Sequence, residues 1–227
     1  MTASALEFPH PPRWLYALVA LPVIGIVAFA TLRPVQVLPR IALAPGFALT
    51  DQNGARLTNE DLRGKIVLYN FTYTQCAGTC PQTSDTMRAL QSRLGEIDSG
   101  DIPLMLVTIS FDPARDTPER LRAYANQVGA DAKVWRIATG DATRLKYALG
   151  GGFNLYYAPN ADGTFTFDPL FALVDGWGII RAFYKTATPA PERLVRDLRL
   201  VAQEARQSTG AARYAYEAAH LFLCYPP

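Results

Sequence analysis

The sequence predicts an α/β domain, a mixed sheet with helices on both faces, preceded by one N-terminal transmembrane helix. Three observations lead there. The stretch from Trp14 to Leu32 is apolar and holds no charged residue. Two compact apolar runs, Ile66 to Phe71 and Ile102 to Ser110, read as buried strands, and a helical pattern follows each. A late strand pair around Asp175 to Gly178 leads into an amphipathic helix from Pro191 to Arg206. This order, βαβα and then a hairpin and a helix, implies a sheet with both parallel and antiparallel neighbours. With 49% hydrophobic and 19% charged residues, the 227-residue chain has apolar material for one sizeable core plus a membrane segment.

Residues 1–13 are a short leading segment, and 14–32 are the expected anchor. As a helix the run rises roughly 28 Å, close to the ~30 Å hydrocarbon core of a bilayer. Arg13 and Arg33 bracket it, and Trp14 and Tyr16 stand where interfacial aromatics are favoured. Pro22 is tolerated in a membrane span. A cleaved signal peptide has a shorter apolar region ending on small residues, so a retained anchor is expected. Arg13 before the run and Arg33 and Arg40 after it leave the orientation undecided by charge. Residues 33–46 carry three prolines and no helical pattern, and read as a linker.

The domain is expected over 47–206. It opens with a short hairpin turned at Asn53-Gly54. The buried strand at 66–71 runs directly into a cysteine-bearing loop. Gln82 to Leu94 reads as a helix with Met87, Leu90 and Leu94 on one face. After the second strand, a helix starts at Thr117-Pro118-Glu119 and runs to about Val128. Either Asp116 or Thr117 caps it, and Pro118 suits its first turn. Val134 to Ile137 is a short strand and Asp141 to Leu149 a short helix, followed by Gly150-Gly151-Gly152. Asp162-Gly163 turns the chain into one strand from Phe165 to Val174, whose hairpin partner is Ile179 to Tyr184. The layout is thioredoxin-like.

The richest stretch is Phe71-Thr-Tyr-Thr-Gln-Cys76-Ala-Gly-Thr-Cys80-Pro81. Pro81 reads as the start of the next helix, which places Cys80 at or beside a helix N-terminus. There the partial positive charge favours a thiolate. Two thiolates on one loop can exchange a disulfide or clamp a soft ion, and Cu(I) accepts thiolate pairs. Thioredoxin-type oxidoreductases space their cysteines by two residues; three intervening residues still permit a disulfide and leave more room for a metal. The plainer alternative is two buried structural cysteines acting as small hydrophobes. A peroxide-reducing peroxiredoxin would rely on one nucleophilic cysteine beside an arginine, which the paired loop does not suit. Net charge is +2 with no dense basic run, so nucleic acid is not an expected partner.

The loop FTYTQCAGTCP resembles the copper loop of the Sco/SenC family of copper chaperones. TISFDPARDTPERLRAYA, from Thr108 to Ala125, and WRIATGDATRLKYALGGGFNLYY resemble the family's following segments, and the similarity spans roughly residues 44 to 206. The resemblance implies a thioredoxin fold tethered to the bacterial inner or mitochondrial membrane. For this chain it implies a single-pass inner-membrane protein with its domain on the periplasmic side. Its cargo would be copper, as Cu(I), held by Cys76 and Cys80. Its partner would be the copper-centre subunit of a respiratory oxidase. Whether it is an enzyme stays open: the same pair would be the redox pair of a thiol–disulfide reductase acting on that centre.

The family's third ligand, a histidine seven or eight residues before the hairpin-turn aspartate, is missing. With the turn at Asp175, its place falls on Phe167 or Asp168. The chain's two histidines are His10 and His220. Asp168 is a poor match for Cu(I) and reads as a strand-end residue beside Pro169. His220 reads as incidental, and the preferred reading is a pair without a third ligand. Asp112 and Asp116 read as turn and cap residues rather than catalytic ones. The tail, 207–227, ends in the apolar run Leu221, Phe222, Leu223, Cys224, Tyr225, which needs cover from the domain, a partner or the membrane. Cys224 is left over: paired between chains, a free thiol, or a late metal ligand.

Overall fold

The computed structural model describes residues 12–32, 35–76 and 82–222, without the side chains of 13, 15, 30, 32 and 222. Residues 13–32 form one helix, α1 (Arg13–Leu32), which continues through Pro22. Leu18, Leu21 and Ile24 are among its exposed large side chains. Among the described residues no helix is long and apolar enough to cross a membrane. Along α1 the described side chains run without a gap only from 16 to 29.

Among the described residues ten strands follow: β1 (Ala42–Leu43), β2 (Ala48–Asp51), β3 (Arg56–Thr58), β4 (Ile66–Thr72), β5 (Leu104–Ser110), β6 (Trp135–Thr139), β7 (Tyr157–Pro159), β8 (Phe165–Phe167), β9 (Phe171–Val174) and β10 (Ile179–Tyr184). Eight make one sheet in the order β1-β10-β9-β4-β5-β6-β2-β3, while β7 and β8 form a separate ribbon. The β4–β5 and β5–β6 pairs are parallel, and β9 returns antiparallel to β4. β4 is buried at all seven positions because both faces of the sheet are covered. Its alternation sorts the side chains. Ile66 and Leu68 enter one core, and Val67, Tyr69 and Phe71 enter the other.

The first face is covered by three helices: α2 (Thr83–Gln91), α3 (Pro118–Val128) and α5 (Pro191–Gln207). Met87 and Leu90, Leu121 and Val128, and Leu194, Leu198 and Val201 carry their apolar stripes into the core. The second face has less helix than the expected layout. It is closed by the β2–β3 hairpin, the β7–β8 ribbon and a short helix, α4 (Ala142–Leu145), that widens into a π turn over 146–152. Of the three glycines there, Gly152 has a packing reason, since a Cβ would overlap the ring of Pro45.

Four local expectations change. The strand expected from Phe165 to Val174 is two strands, because Pro169 has no N–H for a ladder; the chain leaves the ribbon at β8 and enters the main sheet at β9. Thr117, not Asp116, caps α3, its hydroxyl accepting the Arg120 N–H. α2 begins at Thr83 after Gln82, so Pro81 is not its first residue and Cys80 stands three positions upstream. Residues 33–46 do more than link. Val37 and Leu38 are fully buried and β1 extends the sheet beside β10.

The packing of that segment traces to Arg181, itself 2% exposed. Its guanidinium donates to the Leu38 and Pro39 carbonyls and pairs with Asp175 (3.0 Å) and Glu204 (2.6 Å). A buried cation surrounded by four acceptors fixes the chain that brings them. The C-terminal residues add a further helix, α6 (Ala212–Phe222), whose Tyr216 and Ala219 are buried against Val37. His220, read from sequence as incidental, lies against Glu204 with Nε2 2.8 Å from Oε1.

Candidate functional site

Of the expected pair, Cys76 is described and Cys80 lies outside the described residues, as do Pro81, His10 and Cys224. Cys76 stands four residues after the end of β4. It is half-buried and packs on the apolar cluster of the second face. Cys76 itself is disulfide-bonded. Its N–H donates to the Tyr73 carbonyl at 3.1 Å, and its carbonyl accepts from Gln82 Nε2 at 3.4 Å.

Buried polar groups clamp the cysteine loop at both ends. At its start, Asp116 accepts the Thr74 N–H (2.9 Å) and the Thr74 hydroxyl (2.6 Å), and it also accepts the Ser110 hydroxyl. Asp116 is completely buried. A carboxylate there is tolerated because three donors meet it. At the loop's end, the Thr83 hydroxyl takes a hydrogen bond from the Asn70 amide on β4 at 2.9 Å. Asn70 in turn accepts from Thr108 on β5, whose oxygen takes the Trp135 indole N–H at 2.8 Å. This chain crosses β6, β5 and β4 and ends on the first residue of α2, so the sheet itself sets where the loop ends.

Beneath the loop, Tyr73 sits among aromatic rings: Phe165 at 5.2 Å, Phe111 at 5.6 Å and Phe167 at 6.3 Å between centroids. Phe167 is thus a buried packing residue at one of the two positions where the resemblance places a histidine. Asp168, the other, is exposed, and its N–H donates to the Tyr156 carbonyl. Arg115 joins the loop after β5 to this ribbon. It pairs with Asp112, donates to the Gly163 carbonyl and lies 5.7 Å from the Phe165 ring centre. Burial pushes the Asp112 carboxyl above the usual carboxylate range, against the pull of Arg115. Asp112 opens the turn, its carbonyl accepting from Arg115 and Asp116.

Sequence reading did not foresee the roles of Asp116, Asn70 and Arg115. Asp116 in ARDTPE looks like a cap, and only the fold brings Thr74 to it. Among the described residues no group of three His, Cys, Asp or Glu side chains is placed to hold a metal ion.

Comparison with known proteins agrees with this architecture. A protein of Stutzerimonas stutzeri, provisionally named as copper-binding, is 38% identical over 121 residues, 51% of this chain and 56% of that one. The match thus spans little more than half of that curated relative. The structure of Bradyrhizobium japonicum ScoI with copper bound is 28% identical, with a TM-score of 0.52 over 70% of this chain and 99% of that one. BsSco, described as a member of the Sco family of cytochrome c oxidase assembly proteins, shares the fold at 21% identity. Its TM-score is 0.64 over 74% of this chain and 97% of that one. The family profile described as SCO1/SenC matches residues 36–203, from the buried linker through β10 and into α5, and the chain belongs to the SCO1/SenC family.

Proposed function

We propose that the protein is a membrane-tethered copper chaperone that binds Cu(I) through Cys76 and Cys80 and supports assembly of the copper centre of a respiratory oxidase. The observation that carries this reading is the clamped loop, held at Thr74 and Thr83 with Cys76 between them. Soft thiolates suit Cu(I), which accepts low coordination numbers. The half-buried, aromatic-backed setting of Cys76 lowers the local dielectric and keeps a sulfur-bound ion from bulk water. Phe167 offers no donor, so the ligand set is the cysteine pair alone, which suits Cu(I) better than Cu(II). α1, with its exposed apolar side chains, serves as a single-pass inner-membrane anchor, with the domain on the periplasmic side.

A second reading, thiol–disulfide reductase, is favoured by the disulfide at Cys76. In that reaction one thiolate of the reduced pair attacks a target disulfide and releases one target thiolate. The second then displaces the mixed disulfide, leaving Cys76–Cys80 oxidised and the target reduced by two electrons.

The test is a Cu(I) titration against a competing chelator, under anaerobic reducing conditions, on the full chain in detergent. Cys224→Ser is the background, with and without Cys76→Ser/Cys80→Ser. Tight one-to-one binding that the double substitution abolishes is the expected result. Equally weak binding by both proteins excludes copper delivery, and the reductase reading then takes precedence.

A further inference from the structure

We infer that α6 is a second membrane contact, lying along the bilayer surface beside the point where α1 leaves it. The inference rests on the anchor reading of α1 and extends it to a part of the chain outside the family match, which ends at residue 203.

The inner face of α6 is accounted for. Tyr216 and Ala219 are buried on Val37, and Phe29 and Val35 pack into the same cluster. Phe29 belongs to the last turn of α1, so α6 sits against the end of the apolar helix. The one acidic residue of α6, Glu217, is held by both terminal nitrogens of Arg40, at 3.0 and 3.1 Å. His220 is held on Glu204. The linker at Arg40, α5 and α6 are therefore fastened together.

The outer face carries two large exposed apolar side chains. Tyr214 is 70% exposed and Leu221 78% exposed, seven residues apart on one side of the helix, with Ala218 between them. Glu217 borders that side, where Arg40 neutralises it, and Arg213 lies over the Tyr214 ring at 5.5 Å. An exposed tyrosine and leucine beside an arginine are the chemistry of a helix in the headgroup boundary. The ring lies at the interface, the leucine beneath it and the cation among anionic lipids. The bilayer is the occupant because α6 touches α1 where a spanning helix meets the headgroups.

The test places the full chain in vesicles of phosphatidylethanolamine and phosphatidylglycerol doped with a diazirine phospholipid, with adducts mapped by mass spectrometry after photolysis. Adducts are expected on Arg13–Leu32 and on the Tyr214–Leu221 segment. Tyr214→Glu/Leu221→Glu changes only exposed side chains; it should keep the α1 adducts and lose those on α6. Adducts on α1 alone overturn the inference and leave the anchor standing. Adducts on neither overturn the anchor and the inference with it. Protection of α6 that requires an added protein, with no lipid adducts, makes it a protein-docking face and also overturns the inference.

Discussion

Asp116 and Thr74 are 42 residues apart in sequence and joined by two hydrogen bonds, one from the Thr74 N–H and one from its hydroxyl. The carboxylate comes from the loop after β5, and Thr74 lies two residues before Cys76. Replacing Asp116 by Asn keeps the shape but removes one acceptor oxygen and the charge that three donors share. Asp116→Asn should lower stability by about 2–3 kcal/mol, read from urea unfolding. It should also weaken Cu(I) binding at a cysteine it does not touch. Thr74→Val, which keeps the N–H bond, should cost roughly 1 kcal/mol and disturb copper binding less. Unchanged copper affinity in Asp116→Asn would mean that the loop is held by other contacts.

The sheet was legible in the sequence where patterns are local. The apolar runs of β4 and β5, the Asn53-Gly54 turn, where Gly54 takes φ 78°, and the stripe of α5 all appear where periodicity places them. Pro169 gave a readable warning that the Phe165 to Val174 strand would break. What stayed hidden depends on long-range meetings of polar groups. Arg181 in IIRAFY looks like an outward strand residue, and nothing local says it will be buried under the Leu38 and Pro39 carbonyls. Spacing and flanking residues single out Cys76 and Cys80 as candidates in the sequence, whereas the Asp116 and Asn70 clamps needed three strands in place.

Phe167→His places an imidazole at one of the two positions, Phe167 and Asp168, where the resemblance expects the family's histidine. Phe167 packs on Phe111 at 5.0 Å and Tyr73 at 6.3 Å, so the substitution should cost roughly 2 kcal/mol of stability. On the chaperone reading it should also add Cu(II) binding, seen as a thiolate-to-copper absorption band absent from the wild type. A variant that is folded but gains no such band would separate Phe167 from the copper position.

Arg181→Met removes the cation from a buried group of two carboxylates and two carbonyls. Breaking such a site from one side should cost about 3–5 kcal/mol. The triple variant Arg181→Met/Asp175→Asn/Glu204→Gln, which removes the stranded charges, should recover much of that loss. Guanidinium unfolding of the three proteins checks this, and equal losses in the single and triple variants would contradict it.

Glu204 supplies the pH dependence. Burial alone would raise its pKa; the hydrogen bonds from His220 and Arg181 outweigh this and hold it at about 2, below the ordinary 4.5. A carboxyl depressed on folding contributes stability that is fully present above its unfolded pKa and is lost as pH falls through the folded value. The docking of α6 and the linker on α5 should therefore be at full strength above about pH 4.5 and weaken toward about pH 2. Hydrogen exchange at Tyr216 and Ala219, taken relative to the intrinsic amide rate at each pH, should show protection falling over that window. Glu204→Gln should remove the pH dependence and leave α6 more weakly docked at neutral pH, because an amide offers only one acceptor oxygen to Arg181 and His220. Acid-induced loosening that survives in Glu204→Gln would point instead to Glu217, the other carboxylate bound to Arg40.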